Sequence, residues 1–324
     1  MITLDWVYIF AGLTFAGFSV LTVLDREHPR RFGTAAFWGL LATSFLFGSY
    51  LGDLGNGVLV LTLAALAGFR LLGQSRPATT TPGERAASAA RRGAWLFVPA
   101  LMIPAVAILG VVVLERVSLF GRPLFGAGQP TIVALGLAVA LALAGAMIWL
   151  RPPLLAPLQE GRRLMDSVGW AGILPQALAA LGAVFVIAGV GDRIGELFAS
   201  YLPLDTRLLA VLAYCLGMAL FTFIMGNAFA AFPVVTAAVG LPLVVVQFGG
   251  DPAIVCAIGM LSGFCGTLTT PMAANFNVVP AALLDLPDRD APFNGVIRVQ
   301  LPTAAALLAI NIVLMYALAF RGAA

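Results

Sequence analysis

The chain has 324 residues, of which 61% are hydrophobic and 10% charged, and its formal net charge is +3. Soluble domains carry about one quarter charged residues, so this composition excludes a soluble domain and defines an integral membrane protein. The positive charge comes from arginine alone, since the sequence holds no lysine. So small a surplus does not fit nucleic-acid binding, but it suffices to orient a chain in a bilayer.

The N-terminal stretch "MITLDWVYIFAGLTFAGFSVLTVL" lacks a basic leader and a small-residue cleavage site. It reads as a retained transmembrane helix, not a signal peptide. Crossing ~30 Å of hydrocarbon takes ~20 apolar residues. Stretches of that kind run Asp5 to Leu24, Thr34 to Tyr50, Asn56 to Leu72, Trp95 to Leu114, Thr131 to Leu150, Val168 to Val190 and Ile297 to Phe320. "DREHPRR" joins the first two and carries His28, the single histidine, which reads as a solvated loop residue. Residues 1–73 are expected to form a three-span scaffold or interface region. The loop "GQSRPATTTPGERAASAARRGA" at 74–94 reads as a flexible linker. A fourth span and an outer loop fill 95–129. Glu160 and Asp166 flank the next polar turn and read as solvated. "GDRIGELFASYL" reads as an amphipathic interfacial helix.

Arginine sets the orientation. Arg26, Arg30 and Arg31, then Arg76, Arg85, Arg91 and Arg92, then Arg151, Arg162 and Arg163 fall on one side if the first five spans alternate. The positive-inside rule makes that side cytoplasmic and leaves the N-terminus outside. Arg116 and Arg122 are a mild exception. In the segment from Gly191 to Arg207, Asp192, Glu196 and Asp205 outweigh Arg193 and Arg207, as an outer loop should.

From Leu208 to Leu286 the apolar pattern is cut twice. Gly226 and Asn227 interrupt "FTFIMGNAFAAFPVV", and "GTLTTPMAANFNVVP" follows about forty residues later. Lipid cannot satisfy backbone groups freed by a broken helix, so a break survives only where it is buried in protein or lines a cavity. The first cut predicts a re-entrant hairpin over about 208–249, with half-depth arms and Gly226–Asn227 at its tip. The second predicts a helix over about 252–286 broken within Thr269–Asn277. Pro271 lacks an N–H and disfavours helical geometry at Thr270. Half-helix N-termini suit an anionic group, and unwound carbonyls suit a cation. Tight helix packing, with small residues at the contact and Asn as glue, is the competing explanation. Two interruptions of the same residue types favour a binding site. Its expected residues are Gly226, Asn227, Thr269, Thr270, Asn275 and Asn277 around one polar cavity, with Pro271 as the structural break. A small carboxylate would be held there by amides, hydroxyls and backbone N–H groups. Gly226→Val should then abolish uptake without unfolding the protein, and Asn277→Asp should repel the anion.

These residues resemble a known fold. "MGNAFAAFPVV" is similar to the Ser-Asn-Thr hairpin tip of the ion transporter superfamily, which includes the divalent-anion/sodium symporters. Asn227 matches the motif's Asn, while Gly226 and Ala228 stand where it has Ser and Thr. "TTPMAANFNVV" is similar to the Thr-Pro-x-Gly-Thr-x-x-Asn stretch of the unwound helix. Thr270, Pro271 and Asn277 match there, while Ala273 and Ala274 replace Gly-Thr. The resemblance implies an all-α polytopic membrane fold with one transporter repeat over 130–324. The superfamily uses two inverted copies, and the first ~115 residues contain no second hairpin and broken helix.

The whole chain, including "FGTAAFWGLLATSFLFG", "RPPLLAPLQEGRRL" and "GNAFAAFPV", more closely resembles the family called domain of unknown function 979. That resemblance implies one subunit of a two-component carrier in the bacterial inner membrane. Such members are commonly encoded beside a smaller membrane protein, domain of unknown function 969, and near pyrrolidone-carboxylate peptidase, hence their annotation as 5-oxoproline transporter subunits. The partner, or another copy of this chain, would supply the opposite hairpin. No catalytic constellation stands out: there is one loop histidine and no carboxylate cluster in any span, so an enzyme is not expected. A non-transporting accessory subunit is the other alternative. Cys215, Cys256 and Cys265 match no metal or redox spacing and read as small buried hydrophobes. No cofactor is expected. With no intramembrane Asp, Glu or His in the repeat, coupling favours a cation such as sodium held by backbone carbonyls, with a substrate-borne proton as the alternative.

Overall fold

The computed structural model describes residues 3–75, 80–113, 118–119, 122–123, 129–201, 205–284 and 292–320. Seven of the described helices are long and apolar enough to cross a membrane. Besides helices, the described residues hold one short antiparallel pair, β1 (Ser118–Leu119) with β2 (Arg122–Pro123). Contacts divide the chain into two compact units, Met1–Gly169 and Trp170–Ala324. The stretch from 130 to 169, assigned from sequence to the transporter repeat, thus lies in the first unit.

In the first unit, α1 (Leu4–Leu24) packs on α2 (Arg31–Gly68). Gly52 breaks α2 with φ 62° and ψ −179°, a conformation open to glycine. The two arms fold back on each other. Asn56 donates to Gly48 O at the tip, and at the base the Arg30 guanidinium donates to the carbonyls of Arg70 and Leu72. The second and third expected spans are therefore a helical hairpin. Trp38 is buried and stacks on Phe15, with ring centroids 5.7 Å apart, and meets Phe18 and Phe37 edge-on.

The linker reading of 74–94 needs correction. Pro82–Arg92 forms α3, because Thr81 and Glu84 make a reciprocal capping box. The Thr81 N–H donates to Glu84 and the Glu84 N–H to Thr81 Oγ1. A 3-10 turn, Gly93–Phe97, leads into α4 (Val98–Val112), which packs on α5 (Pro130–Leu150). The expected outer end of the fourth span, from 114, lies outside the described residues.

His28 and Asp166 also depart from expectation: both are buried. Asp166 sits on α6 (Ala156–Val168) and accepts from Trp38 Nε1 at 2.7 Å and from the Ser75 N–H at 3.1 Å. His28 Nε2 stands 3.7 Å from Asp166 Oδ2, the oxygen that accepts from Ser75. The Arg30 N–H donates to His28 Nδ1, and the Gly73 N–H to Thr34 Oγ1. The loops at 25–30 and 70–75 thereby close over the carboxylate. Arg162, one turn earlier on α6, donates to Leu21 O at 2.8 Å and to Asp25 at 3.0 Å. Glu160 fits the expectation better, paired with Arg163 on a half-exposed face.

In the second unit, the expected span 168–190 is interrupted. A 3-10 turn at Gly169–Ile173 precedes α7 (Leu174–Ile187), and positive φ at Gly169 and Gly189 bounds it. The amphipathic α8 (Val190–Tyr201) follows as expected. Next come α9 (Arg207–Met225), a turn at Gly226, and α10 (Ala228–Val235) continuing as a π-helix over Thr236–Gln247. Then come α11 (Pro252–Thr267), an unwound segment, a π-turn (Ala274–Val278), α12 (Val279–Leu283) and α13 (Pro292–Leu318). Tyr214 is the wedge of this unit. Its hydroxyl hydrogen-bonds Thr236 Oγ1 at 2.8 Å across the hairpin, and its ring lies against Gly259 of α11, where a Cβ would fall on the phenol.

Two outcomes test this description. Asp166→Ala leaves the Trp38 and Ser75 donors buried without an acceptor. At about 1–3 kcal/mol for each, the first unit should lose about 2–6 kcal/mol, seen as a lower melting temperature in detergent, while Asp166→Asn should lose less. Hydrogen bonds from Thr81, backbone first and hydroxyl second, hold Glu84 below its ordinary carboxylate value. Its contribution to α3 is therefore present above the unfolded pKa of about 4.3 and is lost as pH falls through the lower folded value. Protection of the amides in the first turn of α3, taken relative to their intrinsic exchange rates, should fall there, and Thr81→Ala, which keeps the backbone donor and loses only the hydroxyl, should weaken the pH dependence.

Candidate functional site

The two interruptions meet. Gly226 ends α9 in the left-handed region, φ 75°, and its N–H donates to Thr222 O at 2.7 Å. A Cβ built there would lie 2.7 Å from Met272 Cβ and 2.8 Å from Met272 O. The hairpin tip therefore rests on the backbone of the unwound segment, and only glycine permits both the turn and the approach. Asn227 is the N-cap of α10, with Oδ1 accepting from the Phe229 N–H at 2.8 Å. Phe229, Phe264 and Phe276 continue the contact from α10 through α11 to the π-turn, the first pair T-shaped and the second tilted.

Length corrects the half-depth reading of the arms. The first has 19 residues and the second, to Gln247, has 20. At ~1.5 Å per residue the α-helical first arm rises about 28 Å, close to a full hydrocarbon crossing, and the second, largely π-helical, rises somewhat less.

The break falls within Leu268–Ala273, as expected, though α11 already ends at Thr267. Pro271 prevents the helix from continuing. The freed carbonyls of α11 are satisfied locally. Thr267 Oγ1 donates to Phe264 O, and Thr269 Oγ1 to Gly266 O. Asn277 is fully buried and does the rest: its Nδ2 donates to Thr267 O at 2.9 Å and to Thr270 O at 2.6 Å, clamping the two sides of the break. Both amide hydrogens are thereby used. Its Oδ1 is buried and accepts no hydrogen bond from the described residues. Thr222 Oγ1, on α9 one turn before the tip, is likewise buried and unpartnered.

The expected site residues do not all line one cavity. Thr269 lines an apolar groove of about 540 Å³ bounded by α9, α11 and α13, and none of the other expected site residues lines it. Thr270 is buried at the break, where its Oγ1 accepts from the Met272 N–H. The side chain of Asn275 lies outside the described residues. Gly226, Asn227, Thr270 and Asn277 thus cluster at the tip and break, while Thr269 opens to the groove.

Sequence reasoning missed two residues. Thr222 is one; a threonine four residues before the tip glycine was its only signal. Gln300 is the other. In a helix, Phe276 O would accept from residue 280, but Pro280 has no N–H. Gln300 Nε2 reaches over from α13 and donates to that carbonyl at 3.2 Å.

The fold defines an all-α polytopic membrane protein whose broken helix is covered by a hairpin tip. The chain belongs to the family of proteins of unknown function designated DUF979, whose sequence pattern matches residues 5–320. No curated protein and no solved structure is significantly similar to it.

The geometry revises two expected mutant outcomes. Gly226→Val cannot act on uptake alone: even Gly226→Ala strains the turn and strikes Met272, and it should lower thermal stability measurably. Asn277→Asp replaces two amide donors by carboxylate oxygens facing the carbonyls of Thr267 and Thr270. It should destabilise the second unit by at least ~2 kcal/mol, more than Asn277→Asp would if its only effect were to repel a ligand. Unchanged melting of both variants would contradict the clamp.

Proposed function

We propose that the chain is a subunit of a secondary transporter that carries a small carboxylate, such as 5-oxoproline, by elevator-like alternating access. The observation that carries this reading is the junction of the Gly226 tip with the break. A helix interruption deep in an apolar unit is covered by a hairpin, and two buried oxygens near it, Asn277 Oδ1 and Thr222 Oγ1, have no hydrogen-bond partner among the described residues. Lipid-facing packing has no use for either. Asn277 Oδ1 is an acceptor, so it suits a coupling cation such as sodium or an N–H of the cargo. The carboxylate itself falls to backbone N–H groups and the N-terminus of α10. Neutral hydrogen bonds at about 0.5–1.5 kcal/mol each give the micromolar-to-millimolar affinity that a carrier needs to release its load.

In this proposal a second subunit, of the domain of unknown function 969 family or a further copy of this chain, supplies the opposite hairpin. The protein would lie in the bacterial cell membrane with its N-terminus outside, the orientation its arginines favour. No catalytic role is proposed. A second reading, a non-transporting accessory subunit, has its own support: the tip glycine and the Asn277 donors are explained by packing alone.

Thr222→Val separates the two. It is close to isosteric and removes a hydroxyl that makes no hydrogen bond, so stability should hold or rise slightly. Uptake of labelled 5-oxoproline into vesicles containing the chain and its small partner should fall at least several-fold if the hydroxyl meets cargo or ion. Normal uptake with this variant assigns the site elsewhere. Uptake by the partner without this chain favours the accessory reading.

A further inference from the structure

A second candidate site lies in the first unit, where α3 passes into α4 beside the end of α5. The chain turns from polar to apolar at Gly93: α3 ends in Arg91 and Arg92, and the next residues are "GAWLFVPALM". On α5 the opposite change occurs at Trp149–Leu150, just before Arg151. The two transitions sit at one level, because the Arg92 guanidinium lies 5.8 Å from the centre of the Trp149 ring. Arg91, Arg92, Trp95, Val98 and Trp149 line a cavity of about 380 Å³ there, within the ~300–1,000 Å³ typical of small-ligand sites.

Arg92 donates to Ser88 Oγ at 2.7 Å. Among the described residues no carboxylate pairs with Arg91 or Arg92. Their position at the C-terminal turn of α3 is favourable for the helix dipole, but that does not require a hollow lined by two tryptophans. A polar-to-apolar transition with tryptophans is where lipid headgroups lie. Guanidinium forks match phosphate oxygens. Val98 gives the wall an apolar element on the α4 side.

We infer that this cavity holds the headgroup of an anionic phospholipid, with its phosphate on Arg91 and Arg92 and its glycerol region against Trp95 and Trp149. The site is independent of the transport reading, since no residue of the hairpin or the broken helix takes part.

Native mass spectrometry of the purified whole chain in detergent tests it, with dioleoylphosphatidylglycerol and dioleoylphosphatidylcholine as probes. Wild type should prefer the anionic lipid. At about fivefold for each arginine near a headgroup, Arg91→Ala and Arg92→Ala should each weaken phosphatidylglycerol binding by about that factor and leave phosphatidylcholine unchanged. The paired Arg91→Lys, Arg92→Lys variant, which keeps charge and fold, should retain part of the preference. Arg26→Ala, at a different basic loop, should bind as wild type does. Equal binding of the two lipids by wild type overturns the inference, as does undiminished phosphatidylglycerol binding in both alanine variants. Displacement of the lipid by millimolar inorganic phosphate would make this a site for soluble phosphate and would also overturn it.

Discussion

Lipid offers no hydrogen bonds, so every backbone group freed inside this chain must be paired by the chain itself. The Asn277 amide is where that constraint bears hardest. Its two hydrogens hold Thr267 O and Thr270 O on either side of the break in α11, and the hydroxyls of Thr267 and Thr269 close on the carbonyls behind them. Gln300 answers the carbonyl that Pro280 cannot serve. The Gly226 tip can rest on Met272 only because the unwound segment is held in one shape. Remove the clamp and the site loses its floor.

The same constraint, met differently, organises the first unit. Asp166 is a buried acceptor shared by an indole and a backbone N–H, with the His28 imidazole 3.7 Å away. One carboxylate thereby joins α6, α2 and the two loops that follow α1 and α2. Arg162 makes the matching donor contact to the Leu21 carbonyl near the end of α1 and to Asp25. Partnered buried charge of this kind contributes to specificity of assembly more than to net stability, because desolvation offsets much of the attraction. These polar groups tie together helices whose remaining contacts in the unit are largely apolar.

Packing in the second unit shows why its small residues need not signal a ligand. Gly259 makes room for the Tyr214 ring and Gly226 makes room for Met272. Both positions are explained by neighbouring protein atoms. The oxygens of Asn277 and Thr222 are not, and on that difference the functional argument rests.

Much of the fold could be read from the sequence alone. Hydropathy located most of the spans, because hydrocarbon thickness imposes a length on any crossing helix. Gly226, Asn227 and Pro271 marked both interruptions, because the backbone rules for glycine and proline are local. The capping box at Thr81 and Glu84 was equally local and present in the sequence, though the polar composition around it disguised the helix. Tertiary structure decided the rest. Nothing in "DREHPRR" or "RRLMDSV" shows that His28 and Asp166 face each other in the dark interior, since burial of a polar side chain depends on partners more than one hundred residues away. Thr269 parted from the other site residues because α11 ends at Thr267, and the chain beyond that end leaves Thr269 on the groove bounded by α9 and α13. Gln300 lies 24 residues from the carbonyl it serves, and only folding could bring that donor to it.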